Sequence, residues 1–454
     1  MPQNILLIGA GRSSASLIRY LIRFSDEMDW KITIAERFPE FAKEKAGDHP
    51  RVSITSLDIN DDMERLGLIH AADIVISMVP ARMHHTIIRD CIAMKKHVVT
   101  ASYATPDILE LHQKAKDSGV TVMMEMGVDP GIDHMSAMKL LDQIRGDQGK
   151  MLLFESFTGG LIAPESDNNP WNYKFTWNPR NVVLAGQGGA AKFIQEGKYK
   201  YIPYHQLFRR TEFIEIEGHG SFEGYANRDS LSYRSVYGLD DIPTIYRGTL
   251  RRPGFSKAWD VFVKLGATDD TYVMEGSENM THREFINSFL AYNTHDSVEL
   301  KLMHYLNIPQ DSTIMDKLSW LGIFDDTPVG IQDATPAQIL QHILEKKWKL
   351  EENDRDMIVM WHKFGWETPE GEKKMMTSHM VVKGEDQTYT SMAQTVGLPV
   401  GIAVRMIANG TIKSTGVCRP VTPEIYNPIL EELETYGVRF EEKEMTPKFY
   451  WKEK

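Results

Sequence analysis

The sequence predicts an α/β fold: a doubly wound parallel sheet, followed by a second region of different texture. Three observations carry this. The chain opens on a strand, a glycine turn, a helix and a second strand; strands and helices then alternate to about residue 128; and the alternation breaks at a polar strand-to-helix loop. That loop lies in Val120 to Met138 (VTVMMEMGVDPGIDHMSAM). Val120 to Met124 is an apolar run suited to a buried strand. Gly127 and Asp129-Pro130-Gly131 cannot continue it, and Ile132, Met135, Met138 and Leu141 then recur at helical spacing. Glu125, Asp129, Asp133 and His134 therefore crowd one loop. In an open parallel sheet, ligands bind at the carboxyl ends of the strands, so this loop is either the floor of an active site or a connector between domains.

Asn4 to Gly9 (NILLIG) is apolar without alternation, as in the middle of a parallel sheet. Gly9-Ala10-Gly11 follows, then a helix over Ser13 to Phe24 and a strand over Lys31 to Ala35 that ends at Glu36. In a Rossmann unit these glycines let the backbone approach a pyrophosphate at the helix N-terminus. Gly9, Gly11, Arg12, Ser13 and Ser14 are the candidate loop contacts, although the third glycine of GxGxxG is replaced by Ser14. Arg12 suits either a phosphate or solvent. Glu36 lies about 25 residues past Gly11, where an acid accepts from the adenosine ribose. It favours NAD; Arg37, immediately after it, suits NADP.

Further strands are expected at Asp73 to Ser77, His97 to Thr100 and Val120 to Met124, with a sixth near Val52 to Ile54. Helices are expected at Met83 to Met94 and from Thr105-Pro106 to Gly119. Ser77, Val79 and Pro80, and Ser102 with Tyr103, fall at strand carboxyl ends, facing nicotinamide and substrate; Ser102 and Tyr103 equally suit turn and packing roles. His84-His85 has no completing ligand, because adjacent helical side chains diverge, and no metal is expected. Cys91 sits in an apolar helix as inert core.

From Met151 the texture changes. Met151 to Phe157 and Glu212 to Glu217 are strand-like, with Gly159-Gly160 and Asn168-Asn169-Pro170 as breakers. Arg228 and the stretch Arg247 to Gly254 lie in loop-like surroundings. Arginine matches a carboxylate with a bidentate fork, so these loops suit either a carboxylate pocket or surface salt bridges. Residues 281 to 349 are helical, Met357 to Phe364 and Ser378 to Lys383 form a hairpin, Ser391 to Ala408 is a helix, and Thr422-Pro423 starts the last one.

Length and composition set bounds. At 454 residues the chain is too long for one ordinary core, and roughly three domains are expected. Net charge is -12, which argues against a general nucleic-acid binder. Two cysteines make no disulfide framework. MPQNILLIGAG lacks the order of a signal peptide, and no apolar run approaches the roughly 20 residues that span a bilayer. A cytoplasmic protein without membrane or nucleic-acid partners is expected.

Together these motifs resemble the saccharopine dehydrogenase family over essentially the whole chain. The matching stretches include Ile8 to Gly11, Val75 to Pro80, Val99 to Tyr103, Gly127 to His134, Gly159-Gly160-Leu161, Asn169-Pro170, Tyr173 to Phe175, Asn227 to Ser230, Arg247 to Arg251 and Ser391 to Pro399. The resemblance implies a Rossmann domain over residues 1–128, joined by 390–454. It implies a mixed α/β substrate-binding and dimerisation domain over 129–280 and 351–389, a helical insert over 281–350, and a homodimer. Ser102, Tyr103, Asp129, Arg228, Thr249, Leu250 and Arg251 are implied to contact saccharopine. Family members often carry Cys before the Gly-Gly-Leu; here it is Thr158, so no mechanism rests on that thiol.

The implied reaction oxidises the secondary amine of saccharopine with NAD, or with NADP, and hydrolyses the imine to L-glutamate and 2-aminoadipate 6-semialdehyde in lysine metabolism. Asp129, His134 and Tyr103 are the candidates for proton transfer and orientation, and the sequence does not choose among them. Two other readings stand beside this one: a related dehydrogenase for another secondary amine such as carboxynorspermidine, and a non-catalytic dinucleotide-binding sensor.

Overall fold

Apolar residues 5–8 of strand β1 (Gln3–Ile8) are buried, because parallel strands pack on both sides of it. The computed structural model describes residues 2–447. It places β2 (Trp30–Glu36) and β3 (Val52–Ser56) on one side of β1, and β4 (Ile74–Ser77), β5 (His97–Val99) and β6 (Thr121–Met123) on the other. Pairing is parallel throughout. Chain direction across the sheet reverses between β1 and β4, and that switch point is where a doubly wound sheet opens a ligand crevice. A seventh strand, Gly416–Cys418, continues the sheet beyond β6 in parallel. It went unseen in the sequence because three residues are too short to show a period.

Helix Ser391–Ala408 returns the chain to this sheet and packs on the helix Ala15–Phe24 that follows β1. Its small residues set the distance: a Cβ on Gly397 would lie 2.8 Å from the Leu17 backbone nitrogen, and one on Gly401 2.5 Å from the Tyr20 ring. The helix is long and apolar enough to cross a membrane, against expectation, but 78% of it is buried inside the protein, as for a core helix.

The chain divides into two compact units, Met1–Met151 with Trp366–Lys454, and Leu152–Gly365. This differs from the expected division. Helix Ile132–Gly146 belongs to the first unit, where Asp142 accepts from the Tyr426 hydroxyl of helix Pro423–Thr435. Strand Lys373–Lys383 also belongs there, paired antiparallel with Glu441–Met445. The helical stretch is part of the second unit: His282–Asn287, Val298–Leu306, Thr313–Trp320 and Pro336–Lys347 are separate short helices.

Within the second unit a mixed sheet is built on the parallel pair Lys150–Ile162 and Thr244–Arg251. Gly220–Ala226 and Thr211–Ile216 add antiparallel strands beyond it. Two expectations fail here. Gly159 and Gly160 do not break the first strand, which runs through them to Ile162; a Cβ on Gly159 would lie 2.5 Å from the Leu250 carbonyl oxygen, so glycine serves close approach across the ladder. Arg247 to Arg251 lie in a strand, not a loop, laddered to Ser156 to Thr158 on one side and Glu223 to Ala226 on the other. Trp171, Trp259, Trp348 and Phe255 stack into one aromatic core beside it.

Gly397→Ala should lower stability by about 1–3 kcal/mol, because backbone is the neighbour and cannot yield. Gly67→Ala, in helix Asp62–Ala71 with nothing within 4 Å, should raise it by about 1 kcal/mol. Urea unfolding of both variants checks the contrast.

Candidate active site

The turn after β1 is shaped by the β4 end. Gly9 has φ +96°, and a Cβ there would lie 2.7 Å from the Met78 carbonyl oxygen. Around Gly11 nothing lies within 4 Å of the corresponding position, which leaves the turn open for a phosphate to approach. Arg12, Ser13 and Ser14 form a 3-10 turn into the helix. Ser14, where the motif departs from glycine, is buried and its hydroxyl donates to the Gly11 carbonyl at 2.7 Å, closing the turn. The residues therefore fit a dinucleotide pyrophosphate. Glu36 reaches across from β2: its carboxylate accepts from the Ala10 amide at 2.6 Å and the Phe38 amide at 3.3 Å. Arg37 is exposed, 5.6 Å over the Phe38 ring.

Ser77 ends β4 and is buried; its hydroxyl is 2.8 Å from Nδ1 of His84. Burial pushes the His84 imidazole down to about 4, so it stays neutral and holds Ser77 in place. His84 was weighed in the sequence only as a metal ligand, and its hydroxyl partner was missed. Val79 and Pro80 follow in the crossing to the next helix, half-buried and exposed respectively.

The loops after β5 and β6 are bound to each other. The Glu125 amide donates to the Ser102 carbonyl at 3.0 Å, and the Met126 amide to the Thr100 carbonyl at 3.1 Å. The Tyr103 hydroxyl donates to Oδ1 of Asp129 at 2.9 Å, and both side chains keep partial exposure. The Asp129-Pro130 peptide is cis. Sequence reasoning placed Tyr103 and Asp129 at one site; the hydrogen bond joins them.

Glu125 and His134 are different. Both are 0% exposed, with Oε2 of Glu125 2.9 Å from Nε2 of His134. Nδ1 of His134 lies 3.4 Å from Oδ2 of Asp133, whose other oxygen accepts from the Gly131 amide at 2.6 Å. Oε1 of Glu125 accepts from the Ala104 amide at 3.0 Å and from Nε of Arg419 at 2.9 Å. Burial disfavours the charge on Glu125, but His134, Arg419 and the Ala104 amide outweigh it and hold its carboxyl down to about 2. Arg419 was missed: it follows the short seventh strand, and no spacing in the sequence links it to residue 125. His134, expected among the acid–base candidates, has no solvent contact in the first turn of helix Ile132–Gly146.

The remaining candidates lie in the second unit. Arg251 is buried, with its guanidinium carbon 5.0 Å from the Tyr173 ring centroid, 5.3 Å from Phe255 and 5.9 Å from Tyr225. One NH donates to the Leu250 carbonyl at 2.8 Å, and Nε has no partner. The neighbouring acid, Glu223, is spent on the amides of Gly254 and Ser256. Arg251 is thus a buried cation among aromatic faces, with the buried Glu223 opposite it on the paired strand. Thr249 is half-buried beside it and Leu250 is fully buried core. Arg228 is exposed at φ +46°.

Comparison with known proteins now decides the family. The saccharopine dehydrogenase C-terminal domain model matches residues 127–438, and the saccharopine dehydrogenase NADP binding domain model matches residues 5–123. The chain belongs to the saccharopine dehydrogenase family. It is 35% identical to saccharopine dehydrogenase [NADP(+), L-glutamate-forming] of Pyricularia oryzae, over 97% of this chain and 99% of that protein. It is 34% identical to the Saccharomyces cerevisiae enzyme of the same name, over 98% and 99%. The apo saccharopine dehydrogenase (L-Glu forming) structure from Saccharomyces cerevisiae superposes with a TM-score of 0.87 at 33% identity, covering 98% of this chain and all of that one. The chain is therefore an oxidoreductase that uses a nicotinamide dinucleotide. The alternatives of another secondary amine or a non-catalytic sensor find no support in these comparisons.

Gly9→Ala should abolish dinucleotide binding while leaving the fold, as read by calorimetric titration and circular dichroism. Glu125 should also mark the acid limb of stability. Its folded value is depressed, so its contribution is complete above the ordinary carboxylate value and is lost as pH falls towards about 2. Glu125→Gln should flatten that part of a stability–pH curve measured by urea unfolding.

Proposed function

We propose that this protein oxidises saccharopine to L-glutamate and 2-aminoadipate 6-semialdehyde with NADP as the preferred acceptor. The observation that carries the reading is the hydrogen-bonded Tyr103–Asp129 pair at the strand ends of the sheet that carries the dinucleotide turn. Saccharopine has three carboxylates, and Arg251, with Arg228 and Thr249 beside the same strands, suits two of them.

The Gly9 to Ser14 turn would hold the dinucleotide, with Ser77, Val79 and Pro80 as further contacts, and the bound dinucleotide would supply the hydride acceptor. The residues of this chain handle protons and orientation. The secondary amine must be unprotonated before hydride leaves the carbon on the aminoadipate side. Asp129 takes that proton, with the Tyr103 hydroxyl fixing the carboxylate orientation by its 2.9 Å bond. Loss of one hydride and one proton leaves a carbon–nitrogen double bond. Asp129 then releases that proton to solvent. Water adds to the carbon as Asp129 accepts a proton from it and passes it to the nitrogen. The carbon–nitrogen bond breaks as the hydroxyl proton leaves, giving glutamate and the aldehyde. His134 touches no solvent, so the acid–base role expected for it is not part of this reading.

NADP replaces the NAD expected from Glu36. The relatives named above are NADP(+) enzymes, and the Glu36 carboxylate is already engaged by two amides. Arg37 stands exposed at the same strand end to meet a 2′-phosphate. Glu36 nonetheless leaves a negative charge near that phosphate, so discrimination against NAD is modest.

Initial rates of dinucleotide reduction, with saccharopine offered alongside NADP or NAD at mildly alkaline pH, test this. Turnover with NADP above NAD is expected, and Glu36→Gln should widen the gap. Asp129→Asn should lower kcat/KM by about 100-fold or more. Arg251→Met should raise KM for saccharopine about 10- to 100-fold with less effect on the dinucleotide. No turnover by protein that binds a dinucleotide would contradict the assignment.

A further inference from the structure

The Tyr103–Asp129 pair sits on two loops that have no regular structure of their own. What fixes those loops is the buried carboxylate of Glu125. Its amide is bonded to Ser102 and its side chain to the amide of Ala104, so it brackets Tyr103 on both sides. Its other oxygen faces His134, and His134 faces Asp133, which holds the Gly131 amide just after Asp129. Arg419 closes the cluster from the end of the seventh strand. Glu125 adopts φ +59°, a left-handed conformation that a non-glycine residue takes at a cost. A strained, solvent-free, charged residue is an expensive way to build a connector. An apolar residue at this position would fill the space without aiming three polar contacts at the two loops.

We propose that Glu125 is a positioning residue for the Tyr103–Asp129 pair, gripping both loops with Arg419 and His134 as its counter-groups. The inference rests on the reading of that pair as the proton-handling groups. None of the three touches the reacting atoms. They set the separation and direction of the Tyr103 hydroxyl relative to the Asp129 carboxylate, and a displacement well under the width of a hydrogen bond suffices to slow proton transfer. The end of the seventh strand thereby takes part in catalysis through one side chain, Arg419.

Arg419 offers the cleanest test, because its side chain is 21% exposed and can be removed at less risk to the core. Arg419→Ala in the full-length protein is expected to lower kcat roughly 10- to 100-fold. KM for saccharopine and for the dinucleotide should stay within about twofold. Guanidinium chloride at millimolar concentration should restore much of the loss, which a general weakening of the fold would not permit. Tyr103→Phe should cost less in the Arg419→Ala background than in the parent protein, since both act through one hydrogen bond. Glu125→Gln, if folded by circular dichroism, should show the same kcat-specific loss.

Wild-type kcat in Arg419→Ala would overturn the inference and leave the assignment of the pair standing. So would a loss that guanidinium does not relieve and that adds fully to Tyr103→Phe. Full turnover in both Tyr103→Phe and Asp129→Asn would overturn the assignment of the pair, and the inference with it.

Discussion

A charged carboxylate without solvent contact, Glu125, is the constraint around which the strand-end loops of the first unit are arranged. The loops after β5 and β6 and the seventh strand converge on it: the Ala104 amide and Arg419 donate to one oxygen, and His134 lies 2.9 Å from the other. Burying that charge is unfavourable alone; these three groups outweigh the desolvation. The consequence is order. Segments that are distant in sequence cannot drift without leaving a buried charge unpaired.

The dinucleotide end uses a different device. There the backbone comes close to backbone, with Gly9 against Met78, and the Ser14 hydroxyl closes the turn that a third glycine would otherwise form. A neutral His84 holds Ser77 at the β4 end. In the second unit Arg251 is buried among aromatic faces that favour its charge, opposite Glu223 on the paired strand.

Much of this was legible in the sequence where periodicity is strong. β1 and β2, their glycine turn and helix Ser391–Ala408 were placed within a residue or two, because apolar runs and caps mark them. Tyr103 and Asp129 were placed together because strand ends in a parallel sheet converge. The misses share a cause, which is that they depend on tertiary contact. Gly159-Gly160 looks like a breaker until the Leu250 carbonyl is seen against it. Arg247 to Arg251 look like a loop because charge hides the strand. Arg419 has no local signal at all, and Ser77–His84 shows only as a histidine pair. The first compact unit extends past residue 128 to Met151 because helix Ile132–Gly146 packs with a helix almost 300 residues away, Tyr426 bonding Asp142 at a separation of 284.

The most direct measurement is product identity. The full-length protein would be incubated with saccharopine and NADP, and the products separated and identified by mass spectrometry. The account predicts L-glutamate in one-to-one ratio with reduced dinucleotide, together with 2-aminoadipate 6-semialdehyde. Reduced dinucleotide without glutamate, or cleavage on the other side of the amine to give lysine, would contradict it.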